Sequence, residues 1–182
     1  MKETEQIEIQ LSKSKLTLLF LGSIMFVGLG GWFVISPPEV NILIFSNPTV
    51  VFIVGLASIL FFGLVGIYLF KKLFDKSPGL IISAEGVFDN STGVSVGFVP
   101  WTDIVEIKET KVFNQSFINL VVKNPQEYID SPRIAFKRRL MQINYKSYGT
   151  VIGISTNGLK IKYKELKALL DERFADVNGK SA

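Results

Sequence analysis

The 182-residue chain contains neither cysteine nor histidine. The first absence removes disulfide staples and thiol nucleophiles. The two together remove zinc sites with Cys or His ligands and every Ser-His or Cys-His catalytic arrangement. Charge is missing from two long stretches, "LTLLFLGSIMFVGLGGWFVI" (Leu16–Ile35) and "TVVFIVGLASILFFGLVGIYLF" (Thr49–Phe70), which hold no Asp, Glu, Lys or Arg. A transport or proton path through a bilayer needs ionisable groups facing a cavity, so this lack argues against a two-span transporter. Glycines recur in both stretches (Gly22, Gly28, Gly30, Gly31, Gly55, Gly63, Gly66), yet no pair has the GxxxG spacing. Packing of one helix on the other is therefore expected, rather than a dedicated dimer interface.

A hydrophobic content of 48% and a mean hydropathy of +0.35 are high for a soluble domain of this length. The excess sits in the two uncharged runs. A helix of about 20 residues covers the ~30 Å hydrocarbon core, so each run is long enough to span. A cleavable signal is a weaker reading of the first run, which is too long, lacks an A-x-A-like site and is followed directly by a second span. Lys13 and Lys15 precede the first run, and Lys71, Lys72 and Lys76 follow the second, whereas residues 36–48 between them carry only Glu39. The positive-inside rule then predicts a multi-pass membrane protein with both termini cytoplasmic: tail 1–15, transmembrane helices 16–35 and 49–70, external loop 36–48, and a domain over 76–178. Trp32 and Tyr68 fall near span ends, where interfacial aromatics gather. The sequons at Asn90 and Asn114 then lie inside and read as turns.

From Lys71 onward there are 17 Lys and Arg against 12 Asp and Glu, a net +5. "GLIISAEGVFDNSTGVSVGFVPW" reads as two strands about a polar turn, with Val94, Val96 and Phe98 inward. "IVEIKETKVF" and "SFINLVVK" form a second strand pair across Asn114-Gln115, with Ile118, Leu120 and Val122 on one face, for four antiparallel strands in sequence order. Asn124-Pro125 and Ser131-Pro132 each put an N-cap residue before a proline suited to a first helical turn. In the second helix Phe136, Leu140 and Ile143 share a face, while Arg133, Lys137, Arg138, Arg139 and Lys146 supply charge. "TVIGIS" is a short strand with Ile152 and Ile154 inward. "YKELKALLDERFADV" is an amphipathic helix lined by Tyr163, Leu166, Leu170, Phe174 and Val177 that should lie against the sheet. In the tail, Ile7, Ile9 and Leu11 alternate with polar residues, leaving two readings, an added edge strand or a disordered segment.

"IQLSKSKL", "EGVFDN", "VPWTDI" and "KNPQEYI", in that order around two spans, resemble a family of two-span bacterial membrane proteins. The segment from "LIISAEGVFDN" to "GFVPWTDIVEI" is similar to bacterial pleckstrin-homology-like (PH-like) domains. The resemblance implies an α+β soluble domain, a PH-like antiparallel sheet or partial barrel with a C-terminal amphipathic helix, below a membrane α-helical hairpin. The helical stretch from Pro132 to Lys146 departs from it, standing where a seven-stranded PH fold would have strands. The matched residues are structural: Gly86 permits a turn, Pro100 ends a strand, Trp101 fills the core and Asp103 caps the corner between two hairpins.

Glu85, Asp89, Asp103 and Asp130 are scattered without partners, so no catalytic, metal or cofactor-binding residues are assigned and an enzyme is not expected. Three function classes remain, in this order. The first is a membrane-anchored binding or scaffolding module, with self-association implied by the resemblance. The second is a sensor of anionic lipid or of the envelope that uses Arg133, Lys137, Arg138, Arg139 and Lys146. The third is an accessory subunit of a membrane transporter or enzyme. The expected partners are the lipid bilayer and either further copies of the chain or another protein, not nucleic acid.

Overall fold

A computed structural model describes residues 6–38, 47–112 and 115–179, and the chain divides into two compact units. Lys13–Lys76 forms one; the residues up to Ser12 join those from Ser77 in the other. Most of the expected external loop, residues 39–46, and Asn114 of the second sequon lie outside the described residues.

The first unit is a pair of helices, α1 (Lys13–Ile35) and α2 (Pro48–Phe74), each long and apolar enough to cross a membrane. Only 11% of the most apolar window of either helix is buried, which sets them apart from core helices of a soluble protein. The buried residues of α1 are Leu16, Ser23 and Gly30, a seven-residue repeat that makes a narrow seam. Two close approaches define it. Gly30 meets Gly55, where a Cβ on either would lie 2.8 Å from the other's carbonyl oxygen, and Gly66 faces Ser23. Phe26 stacks on Phe62 at 4.3 Å, and Ser58 Oγ donates across the seam to the Phe26 carbonyl at 3.0 Å. At the open end of the pair, Lys13 Nζ donates to the carbonyls of Lys72 (3.2 Å) and Asp75. A cation at the C-terminal end of α2 satisfies carbonyls that have no helical partner and opposes the helix dipole.

The second unit contains two antiparallel sheets. The first, in the order β1-β2-β3-β4, comprises Ile7–Ile9 (β1), Leu80–Ile82 (β2), Gly86–Asp89 (β3) and Gly97–Pro100 (β4). The second comprises Ile104–Val112 (β5), Gln115–Val122 (β6) and Ile152–Ile154 (β7). Between β6 and β7 come helices α3 (Pro125–Asp130) and α4 (Ala135–Tyr148), and α5 (Tyr163–Gly179) follows β7. The tail is a strand, with Ile7, Glu8 and Ile9 opposite Ile82, Ile81 and Leu80. Beyond it, Leu11 bridges to Leu159, Ser12 N–H donates to the Gly158 carbonyl at 2.7 Å, and Lys160 N–H donates to the Gln10 carbonyl at 2.9 Å. Residues 7–12 therefore join the free edge of the first sheet to the turn that follows the second. Leu11 and Leu159 are both buried there.

Three expectations change in this unit. The stretch from Gly79 to Trp101 makes three strands, not two, because Ser83 turns the chain: its Oγ accepts from the N–H groups of Glu85 and Gly86, and its N–H donates to the Gly86 carbonyl. Inward residues are Val87 and Val99, whereas Phe98 is exposed and Val94 and Val96 precede β4. Val87 and Val99 are direct partners in the β3–β4 ladder, as are Phe88 and Phe98, so the ladder puts the two valines on the buried face and Phe98 on the other. Finally, the second proline-led helix begins at Ala135 rather than beside Ser131, since Ser131 is still helical and ends α3.

Ile152, Ile154, Ile118, Leu120, Leu166 and Leu170 form the core with Leu80, Ile82 and Met141, each essentially without solvent exposure. Phe174 on α5 meets Trp101, with ring centroids 6.5 Å apart.

Candidate functional site: a corner, a cavity and a basic helix

The Pro100–Asp103 stretch is the 3₁₀ corner through which β4 of one sheet passes to β5 of the other. Pro100 is extended (φ -64, ψ 145) and ends β4. Trp101 is 3% exposed; its Nε1 donates to the Ser83 carbonyl at 2.9 Å and its backbone N–H to that of Glu85 at 3.0 Å. The indole thus fastens the corner to the β2–β3 turn. Gly86 has a reason different from the expected turn: a Cβ there would lie 2.3 Å from the Val99 carbonyl, so close approach of β4 demands the missing side chain. Asp103 also acts otherwise than as a cap. Its carboxylate accepts a hydrogen bond of 2.7 Å from the Tyr128 hydroxyl, tying α3 to the corner. Burial first, and then the Asp103 carboxylate, push the Tyr128 hydroxyl well above its usual pKa, because ionising it would place two anions side by side.

Three of the four acidic residues expected to be scattered have side-chain partners, Asp103 among them. Asp89 is buried and accepts from both the N–H and the hydroxyl of Ser91, and Asp130 accepts from Gln126 Nε2. Among the described residues no group of three His, Cys, Asp or Glu side chains could hold a metal ion.

A cavity of about 270 Å³ opens between the residues following β3, the β5–β6 hairpin, the end of α4 and β7. Its walls include Val94, Val96, Val112, Phe117, Val151 and Ile152, with Asp89, Asn119 and Thr150 as buried polar groups. Each polar group is engaged internally: Asn119 Nδ2 donates to Thr110 Oγ1, and Thr150 Oγ1 donates to the Leu120 carbonyl. The space is below the usual range for small-molecule pockets and suits only a small apolar group. Nothing in the sequence pattern signalled it, since its walls come from four separate segments.

The five basic residues proposed for lipid or partner contact are divided by the structure. Lys137 points inward and donates to the Ser95 carbonyl, and Arg138 Nη2 donates to the Pro132 carbonyl, both half-buried. Arg133, Arg139 and Lys146 are exposed. The inward face of α4 lies one residue on from Phe136, Leu140 and Ile143, with Met141 buried and Lys137 and Asn144 half-buried, while Leu140 at its margin is half-buried too. One residue is a rotation of roughly 100° about the helix. Phe136, at 71% exposure, and Ile143, at 49%, therefore face outward. The helical spacing puts Phe136 and Ile143 on one face but leaves open which face is buried, and no local signal settles it.

Comparison of the chain with family models, curated proteins and solved structures returns no match.

Proposed function

We propose that the chain is a membrane-anchored, non-catalytic binding module: a helical hairpin in the bacterial inner membrane holding a PH-like domain in the cytoplasm. The single observation carrying this reading is the pairing of β1, which precedes the hairpin, with β2, which follows it. Strands that share a ladder share a compartment, so a spanning hairpin must leave and return on the same side. Exposed Leu18, Leu21, Phe61 and Leu64 on α1 and α2 give that hairpin an outer surface suited to lipid and not to water. Lysines at the start of α1 and the end of α2, both at the open end of the pair, favour the cytoplasmic side for that end. Seven strands among the described residues and a final helix agree with the PH-like resemblance, which also implies self-association.

Reporters fused before Ile7 and after Gly179 test the proposal. Both should be silent when active only in the periplasm and bright when active only in the cytoplasm; opposite signals from the two ends would end it. A second reading, contact with anionic lipid, is favoured by the outward face of α4.

A further inference from the structure

We propose that α4 lies by its outward face on an anionic lipid surface, with Phe136 and Ile143 entering the headgroup layer and Arg139 and Lys146 meeting phosphates. The inference rests on the membrane-anchored reading and names what the domain binds.

Four residues define the face. Phe136, Arg139, Ile143 and Lys146 follow one another at i, i+3, i+7 and i+10, which places them on one side of a helix. All four are exposed. The arrangement departs from that of an ordinary surface helix: beside buried Met141 and half-buried Leu140, α4 turns Lys137 and Asn144 toward the domain, and it leaves Phe136 and Ile143 exposed. The Lys137 hydrogen bond to the Ser95 carbonyl helps hold that orientation. Outward apolar side chains flanked by cations are the composition of helices that lie in a membrane interface. Just before the helix, Ile134 is 66% exposed and Arg133 is exposed, extending the same pattern. Charge decides the kind of occupant. With no carboxylate from Ser131 to Lys164, the segment offers an anionic surface only attraction, and each cation near such a surface strengthens binding about fivefold. A second copy of this cationic face would be repelled.

The cysteine-free chain permits a direct test on the full-length protein. Ser147→Cys, on the same side of α4, carries an environment-sensitive fluorophore, and the labelled chain is placed in nanodiscs of phosphatidylcholine with or without phosphatidylglycerol. With phosphatidylglycerol we expect a blue shift and quenching by lipid-borne spin labels. Both should be lost at ~0.5 M salt, where the screening length is about 4 Å. Arg139→Gln with Lys146→Gln should lower the docked-to-free ratio about tenfold or more, whereas Arg139→Lys with Lys146→Arg should keep it. Equal quenching in phosphatidylcholine alone, protection that appears only as copies per disc increase, or an equal loss on Lys164→Gln would each overturn the proposal. Successful insertion of the chain into discs without docking would defeat this inference and leave the anchored reading intact.

Discussion

A methyl group on Gly30 would stand 2.8 Å from the carbonyl oxygen of Gly55, and one on Gly55 equally close to that of Gly30. Backbones this near have no room for a side chain, so Gly30→Leu should cost ~1–3 kcal/mol through overpacking. Gly22→Leu and Gly63→Leu, where a Cβ meets nothing within 4 Å, should be neutral. Thermal unfolding of the chain in detergent discriminates them, and equal effects at Gly30 and Gly22 would refute the seam.

Trp101 has two separable roles. Trp101→Ala removes a buried indole and should destabilise the domain by about 3–5 kcal/mol. Trp101→Phe keeps an aromatic ring against Phe174 but leaves the Ser83 carbonyl without its donor, at a cost of about 1–3 kcal/mol. Hydrogen exchange at Glu85 and Gly86 should rise in both variants; unchanged protection in Trp101→Phe would mean that the indole N–H does not hold the turn.

Tyr128 predicts an alkaline limit. Its folded pKa lies above the unfolded 10.0, so the neutral hydroxyl stabilises the fold fully below pH 10.0, and this contribution drains away as pH rises through the folded value. Chemical denaturation as a function of pH should show the wild type losing stability above pH 10.0 more steeply than Tyr128→Phe. Parallel curves for the two proteins would remove the hydroxyl from the account.

Leu11 is 2% exposed between Gly79 and Leu159, and Leu11→Ala should cost about 2–5 kcal/mol. Faster exchange of the β2 amides would report it. A fragment beginning at Ser77 lacks Ile9 and Leu11 altogether and should melt below the same fragment given a tethered copy of residues 6–12; equal melting would show the tail to be dispensable.

Legibility followed the range of the interactions. The two apolar helices could be read because an uncharged run of 20 residues has few other structural outcomes, and α5 because its apolar residues repeat every turn. Which face of α4 is inward was not legible, because the inward lysine answers to a carbonyl at Ser95, 42 positions away, which no local pattern encodes. The same holds for the Asp103–Tyr128 bond across 25 positions. At β4, the inward residue is set by the pairing of Val99 with Val87, twelve positions earlier. In the tail, alternation was visible but its partner, some 70 residues later, was not.

That separation makes the domain a record of its own biosynthesis. Ile7–Ile9 is synthesised first, yet its ladder partner emerges only after both apolar helices have been made. During that interval the segment is an unpaired strand, and chain order alone prevents it from pairing early. With the hairpin in a bilayer, a chain that inserted only one of its helices would strand Ile7 and Ile82 on opposite sides of the membrane. The first sheet would then lack its outer strand and Leu159 its cover. In a bilayer, closing the first sheet would therefore require both helices to have inserted.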